Sequence, residues 1–201
     1  MTSRIGRGAL LTAGMWAGPF FVVSVVAQML TRDGFDLRRQ PISQLAIGEL
    51  GWIQSATFVL TGLAVVALAA GLERRTLTVF VGLFGAGLVV AGLFKPDAMS
   101  EGPDAMSEGA ATMSEGAATM SVHAAAAVLA FTALAVACVV HTIRSIRRRD
   151  RVAAVLSGIV AVVLLLPMSP DHASVQLALT GLVSFGWTTA IARSASRRSV
   201  R

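Results

Sequence analysis

Long runs without a single Asp, Glu, Lys or Arg alternate along this chain with short polar stretches. Six runs stand out, at 9–30, 52–72, 77–94, 122–143, 152–168 and 174–192. A helix rising about 1.5 Å per residue needs about 20 apolar residues to cross a hydrocarbon core of roughly 30 Å. The pattern therefore predicts an all-α protein, a bundle of six transmembrane helices forming a single membrane domain over 1–201. The third and fifth runs are the short ones, and the fifth meets Pro167. The first, Ala9–Leu30, is longer than the roughly 7–15 apolar residues of a signal peptide, so it reads as an uncleaved anchor.

The connections refine this outline. The turn Glu73–Thr76 is so short that the second and third spans must lie side by side and antiparallel. Small residues at helical spacing, Gly14 with Gly18, Ala67 with Gly71 and Gly87 with Ala91, permit close backbone approach in a compact bundle. The densest polar text is the first loop, Thr31–Ser55, which carries Arg32, Asp33, Asp36, Arg38, Arg39 and Glu49. Within it, Pro41–Ile47 is expected to form a short interfacial helix that delivers Trp52 to the headgroup level.

Composition sharpens the membrane reading. The chain is 55% hydrophobic and 14% charged, against about 25% charged in a soluble domain. The net charge of +6 does not indicate nucleic acid, because the basic residues flank apolar runs and form no exposed stripe. Of the 17 basic residues, thirteen fall on the side of the termini and the second and fourth loops. They are Arg4 and Arg7, Arg74 and Arg75, Arg144, Arg147, Arg148, Arg149 and Arg151, then Arg193, Arg197, Arg198 and Arg201. Nine of the 11 acidic residues fall on the other side. By the positive-inside rule both termini are expected to be cytoplasmic, in a multi-pass protein of the plasma membrane. The lone Cys138 lies inside an apolar run and reads as a small buried hydrophobe. The spans hold almost nothing ionisable, which counts against an ion-coupled pump.

Between the third and fourth spans the text repeats every seven residues, DAMSEGP, DAMSEGA, ATMSEGA, ATMSVHA. Each unit offers one Met and no second seam residue, and Gly102, Gly109 and Gly116 oppose a helix, so a coiled coil does not follow. Met99, Met106, Met113 and Met120 are soft metal ligands by type, but no cluster of Cys or His accompanies them. The segment 97–121 reads as a low-complexity tandem duplication in a tolerant loop.

Folding six spans brings four polar groups to the end opposite the arginines. The first loop supplies Asp36, Arg38, Arg39, Ser43 and, at its edge, Trp52 and Gln54 as candidate binding residues. Asp97 ends the third span, His123 opens the fourth, and Asp171 with His172 opens the sixth. Two His and two Asp near one face are the right types for a metal-activated water in an outer-face hydrolase. No short-range ligand spacing supports such a centre, and helix capping by the same residues is the simpler account. No metal and no cofactor is assigned.

The stretch DGFDLRRQPISQLAIGELGWIQSATFVLTG, then GAGLVVAGLFKPDAM and a following His, resembles the bacterial and archaeal membrane proteins grouped as domain of unknown function 998. The matching positions are Asp36, Arg39, Pro41, Ser43, Leu45, Gly51, Trp52, Gln54, Phe94, Asp97 and His123. Lys95-Pro96 departs from the family pattern, and the repeat widens the gap between Asp97 and His123. The resemblance implies six helices and an integral membrane location, without an established activity. The favoured expectation is a non-enzymatic membrane protein that binds a lipid, small molecule or protein partner at its outer face. A small-molecule or lipid permease and an outer-face metal-dependent hydrolase are the alternatives. Membrane lipids are expected partners and nucleic acid is not.

Overall fold

A computed structural model describes residues 2–97 and 121–199, and every regular element among them is helical. The long helices are α1 (Thr2–Thr31), α2 (Gly51–Gly71), α3 (Arg75–Leu93), α4 (Val122–Arg147), α5 (Arg151–Leu165) and α6 (Ala173–Ser199). Short 3-10 turns lie at Ile42–Ala46 and Pro170–His172. Five of the six helices are long and apolar enough to cross a membrane, and α5, with 15 residues, is shorter. The protein is a polytopic helical membrane protein. Most of the repeat falls in 98–120, outside the described residues; its last serine, Ser121, caps α4 by accepting the Ala124 amide.

The fifth span corrects the expected boundary at 168. Helix α5 stops at Leu165 because Leu166 precedes Pro167, and the proline ring drives the residue before it into extended backbone. Leu166 has φ −64° and ψ 136°. The helix covers about 22 Å at the helical rise, short of a hydrocarbon core of roughly 30 Å, and extended backbone follows it. Non-helical backbone in lipid needs polar partners from elsewhere in the protein. Gln176 of α6 supplies them: its Nε2 donates to the Pro167 carbonyl at 2.9 Å and its Oε1 accepts from the Ser169 amide at 2.9 Å.

Helix neighbours follow chain order around a ring, α1 on α2, α2 on α3, α3 on α4, α4 on α5, and α6 back onto α1. Between α5 and α6 the ring barely closes. Glycine explains the tight joints. In lipid, helices gain little from burying apolar surface against one another, so close backbone approach and dispersion hold them. A Cβ on Gly62 would lie 2.6 Å from the Gly85 carbonyl oxygen, and one on Gly85 would lie 2.8 Å from that of Gly62. At the α3–α4 joint a Cβ on Gly87 would come within 2.9 Å of the Ala126 oxygen. Gly14 abuts Leu68 of α2, whereas Gly18, one turn on, abuts Phe185 of α6. On α6, Gly181 and Gly186 have no such neighbour within 4 Å. The centre of the ring is aromatic: Phe21 stacks on Phe185 at 4.4 Å between centroids, with Phe58 and Phe84 beside them.

One end of the bundle is rich in arginine. Arg7 pairs with Glu73 at 2.8 Å and donates through Nε to the Gly71 carbonyl, tying α1 to the end of α2. Arg144 Nη2 donates to Thr76 Oγ1 at 3.0 Å, tying α4 to the start of α3. A turn or two further in, α5 and α6 make their polar contact. Ser157 Oγ accepts from Trp187 Nε1 at 2.9 Å and lies 2.9 Å from His141 Nδ1 of α4. The three helices are pinned together here and diverge toward the opposite end.

Candidate functional site

The first loop folds as a lid over the end of the bundle away from the arginines. Asp36 starts it: its Oδ1 accepts the Arg38 amide at 2.9 Å, and its carbonyl accepts the Arg39 and Gln40 amides. Pro41, extended at φ −65°, then opens the 3-10 turn, which covers part of the span expected from Pro41 to Ile47. Leu45 and Ala46 point into the core, and Arg32 Nη1 donates to the Leu45 carbonyl at 2.9 Å. The turn lies directly on the start of α2, where a Cβ on Gly51 would overlap the Ala46 carbonyl. Only glycine fits beneath it. Gln44 Nε2 donates to the Asp97 carbonyl at 2.8 Å and so fastens the lid to the end of α3.

His123, on the first turn of α4, completes the fastening. Its Nδ1 lies 2.7 Å from the Ala91 carbonyl oxygen and 3.0 Å from that of Phe94. Both partners are acceptors only, so Nδ1 carries the hydrogen. In the neutral ring Nε2 is then a lone-pair acceptor, and among the described residues it has no hydrogen-bond partner. The ring is buried and meets Phe58 edge-on at 5.9 Å.

Beside His123 the divergence of α5 and α6 leaves a cleft of about 660 Å³. Its long wall is α4 from His123 to Val139, its far wall Val163–Leu166 and Met168, and its near wall Gln176, Leu177 and Thr180 of α6. Ser43 of the lid closes the His123 end. A smaller cavity of about 70 Å³ continues inward past His123 to Phe21, Phe58 and Phe185. Nearly all of the cleft's lining is hydrocarbon, and its polar side chains are Ser43, His123, Thr132, Gln176 and Thr180. The rim, with Leu165, Leu166, Met168 and Val128, is exposed and faces lipid. The arrangement suits a molecule with a long apolar body and a small polar head.

The residues singled out from the sequence separate into three groups. Ser43 and His123 line the cleft. Asp36, Arg38, Arg39 and Trp52 are exposed, Trp52 at 64%. Gln54 is fully buried, its Oε1 accepting from Gln28 Nε2 at 2.9 Å beside a Ser24–Thr57 hydroxyl pair at 2.6 Å. Its own Nε2, like Thr61 Oγ1, is buried without a hydrogen-bond partner. Asp97, Asp171 and His172 are exposed. The structure does not gather them with His123: among the described residues no three His, Cys, Asp or Glu side chains form a metal-binding group. Sequence reasoning passed over Gln176, Thr180 and Phe131. A glutamine nine residues after a helix-ending proline was the available signal for the first; nothing marked the other two.

No curated protein and no solved structure matches this chain. A family match does extend over residues 15–194, from within α1 to near the end of α6, and takes in the lid, the cleft and both ends of the bundle. The chain therefore belongs to the family described as protein of unknown function, DUF998.

Proposed function

We propose that this is a plasma-membrane protein that binds an amphipathic molecule, a lipid or a lipid-like small molecule, in the cleft between α4, α5 and α6. The carrying observation is the pairing of a hydrocarbon-lined cleft with His123 at its end, whose Nε2 has no hydrogen-bond partner among the described residues. Imidazole Nε2 accepts a hydrogen bond, so the preferred head group carries a hydroxyl, amide or ammonium donor. The arginine distribution supports cytoplasmic termini, which puts His123 and the lid outside the cell. Reporter tags at either end test that orientation; a tag reached by impermeant reagent in intact cells would reverse it.

Binding is tested on protein purified in mild detergent, by native mass spectrometry. Ala127 lines both the cleft and the inner cavity, so Ala127→Phe fills their junction. The wild-type protein should carry a lipid-sized adduct that Ala127→Phe loses while unfolding at nearly the same temperature. An adduct of equal occupancy in both proteins would count against the cleft as its seat.

A further inference from the structure

At the opposite end of the bundle the α2–α3 turn and the last turn of α4 border an open surface hollow of about 380 Å³, lined by Arg74, Arg75, Thr76, Arg144, Arg147 and Arg148. The two arginine groups are about seventy residues apart in the chain and converge only through the α3–α4 packing, where Arg144 grips Thr76. Two nearby carboxylates are engaged elsewhere. Glu73 is held by Arg7, and Asp150 caps α5 by accepting the Ala153 amide at 3.1 Å. Among the described residues, Arg75, Arg147 and Arg148 have no carboxylate within ion-pair distance.

An anchoring role requires cations near the membrane surface, not cations gathered around one hollow. Gathering them raises their mutual repulsion, which a bound anion offsets. Guanidinium forks match phosphate oxygens in geometry and charge, and several around one hollow can engage one phosphate together. Exposed Ile143, Ile146 and Val79 flank the arginines, so acyl chains can lie against the helices while a head group enters the hollow. We propose that this hollow is a phosphate-binding site for an anionic phospholipid head group, separate from the cleft around His123.

The test uses the full chain in nanodiscs and reads thermal unfolding and lipid retention by native mass spectrometry. The probes are phosphatidic acid, phosphatidylserine and phosphatidylcholine, with inorganic phosphate as the free-anion arm. Phosphatidic acid should be retained in preference to phosphatidylserine, and Arg147→Gln with Arg148→Gln should weaken it at least about tenfold. The control Arg151→Gln with Arg193→Gln removes the same charge from the same end, outside the hollow, and should leave retention nearly unchanged. Competition by inorganic phosphate that needs Arg147 and Arg148 would support the phosphate chemistry with free anion as a second source. Equal loss in the pocket and control pairs, with both proteins folded, would overturn the proposal in favour of diffuse charge. So would equal retention of phosphatidylcholine.

Discussion

The α2–α3 joint and the α5–α6 joint each unite antiparallel neighbours in the chain, yet one is closed along its length and the other stands open. At the first, Gly62, Gly85 and Gly92 let backbone meet backbone, so that any Cβ there would lie within 2.8 Å of an oxygen on the partner helix. At the second, the glycines of α6 face no such neighbour, the contact is sparse, and Trp187 on Ser157 is its hydrogen bond. Connection length does not decide the matter. The α3–α4 joint has the longest connection in the chain and is nevertheless tight, through Gly87 against Ala126 and Ala130. In a lipid solvent, where burying a leucine against another helix gains little over burying it in acyl chains, the placement of small residues sets which joints close. The joint without them stays open.

The sharpest way to break this comparison is to add a side chain to the closed joint. Gly62→Val should destabilise the protein by about 3 kcal/mol, because the clash is with backbone that cannot swing aside. Gly186→Ala, on α6, should shift stability by no more than about 1 kcal/mol, in the stabilising direction expected of a helix interior. Denaturation in a mixed-micelle titration compares the two directly, and equal effects would refute the role given to glycine. His123→Ala should cost about 2 kcal/mol, since the Ala91 and Phe94 carbonyls lose a buried donor; its thermal unfolding checks this.

A smaller effect is expected at the open joint. Gln176→Leu frees the Pro167 carbonyl and the Ser169 amide and should cost about 1.5 kcal/mol. Faster amide exchange at Ser169, with the α2–α3 joint unaffected, is the signature to seek. The smallest effect should come from deleting Glu101–Ser121. That change places Ser100 before Val122, where it can replace Ser121 as the cap of α4, and stability should move by no more than about 0.5 kcal/mol. Unfolding of the shortened chain would show that connection length does govern the α3–α4 joint.

The spans were legible because membrane thickness imposes a length on any apolar run, and the antiparallel pair α2–α3 was legible from its short turn. Which helices touch was not. Gly14 and Gly18 read as one small-residue pair but serve two different partners, and Gly62 with Gly85 went unremarked because a glycine's neighbour across a joint is not written in its own helix. The end of α5 was half-written, in Pro167, although the run of apolar residues continues past it. At the lid, residue types signalled polarity without direction. Asp36 spends its carboxylate on the loop's own backbone, Gln54 turns inward to Gln28, and Ser43 alone of the loop candidates lines the cleft. His123 was visible as a candidate, but its Nδ1 clamp on the end of α3 depends on a meeting of two helices separated by the repeat.

Photo-crosslinking with a lipid that carries its reactive group in the acyl chain tests the open joint most directly. Labelled peptides should concentrate on the α4 wall, 123–139, and on 163–168 of the α5 end, and Ala127→Phe should remove that enrichment. Labelling spread evenly over the lipid-facing residues of α2 and α3, such as Leu60, Leu63 and Leu83, with no excess at the cleft, would contradict the account.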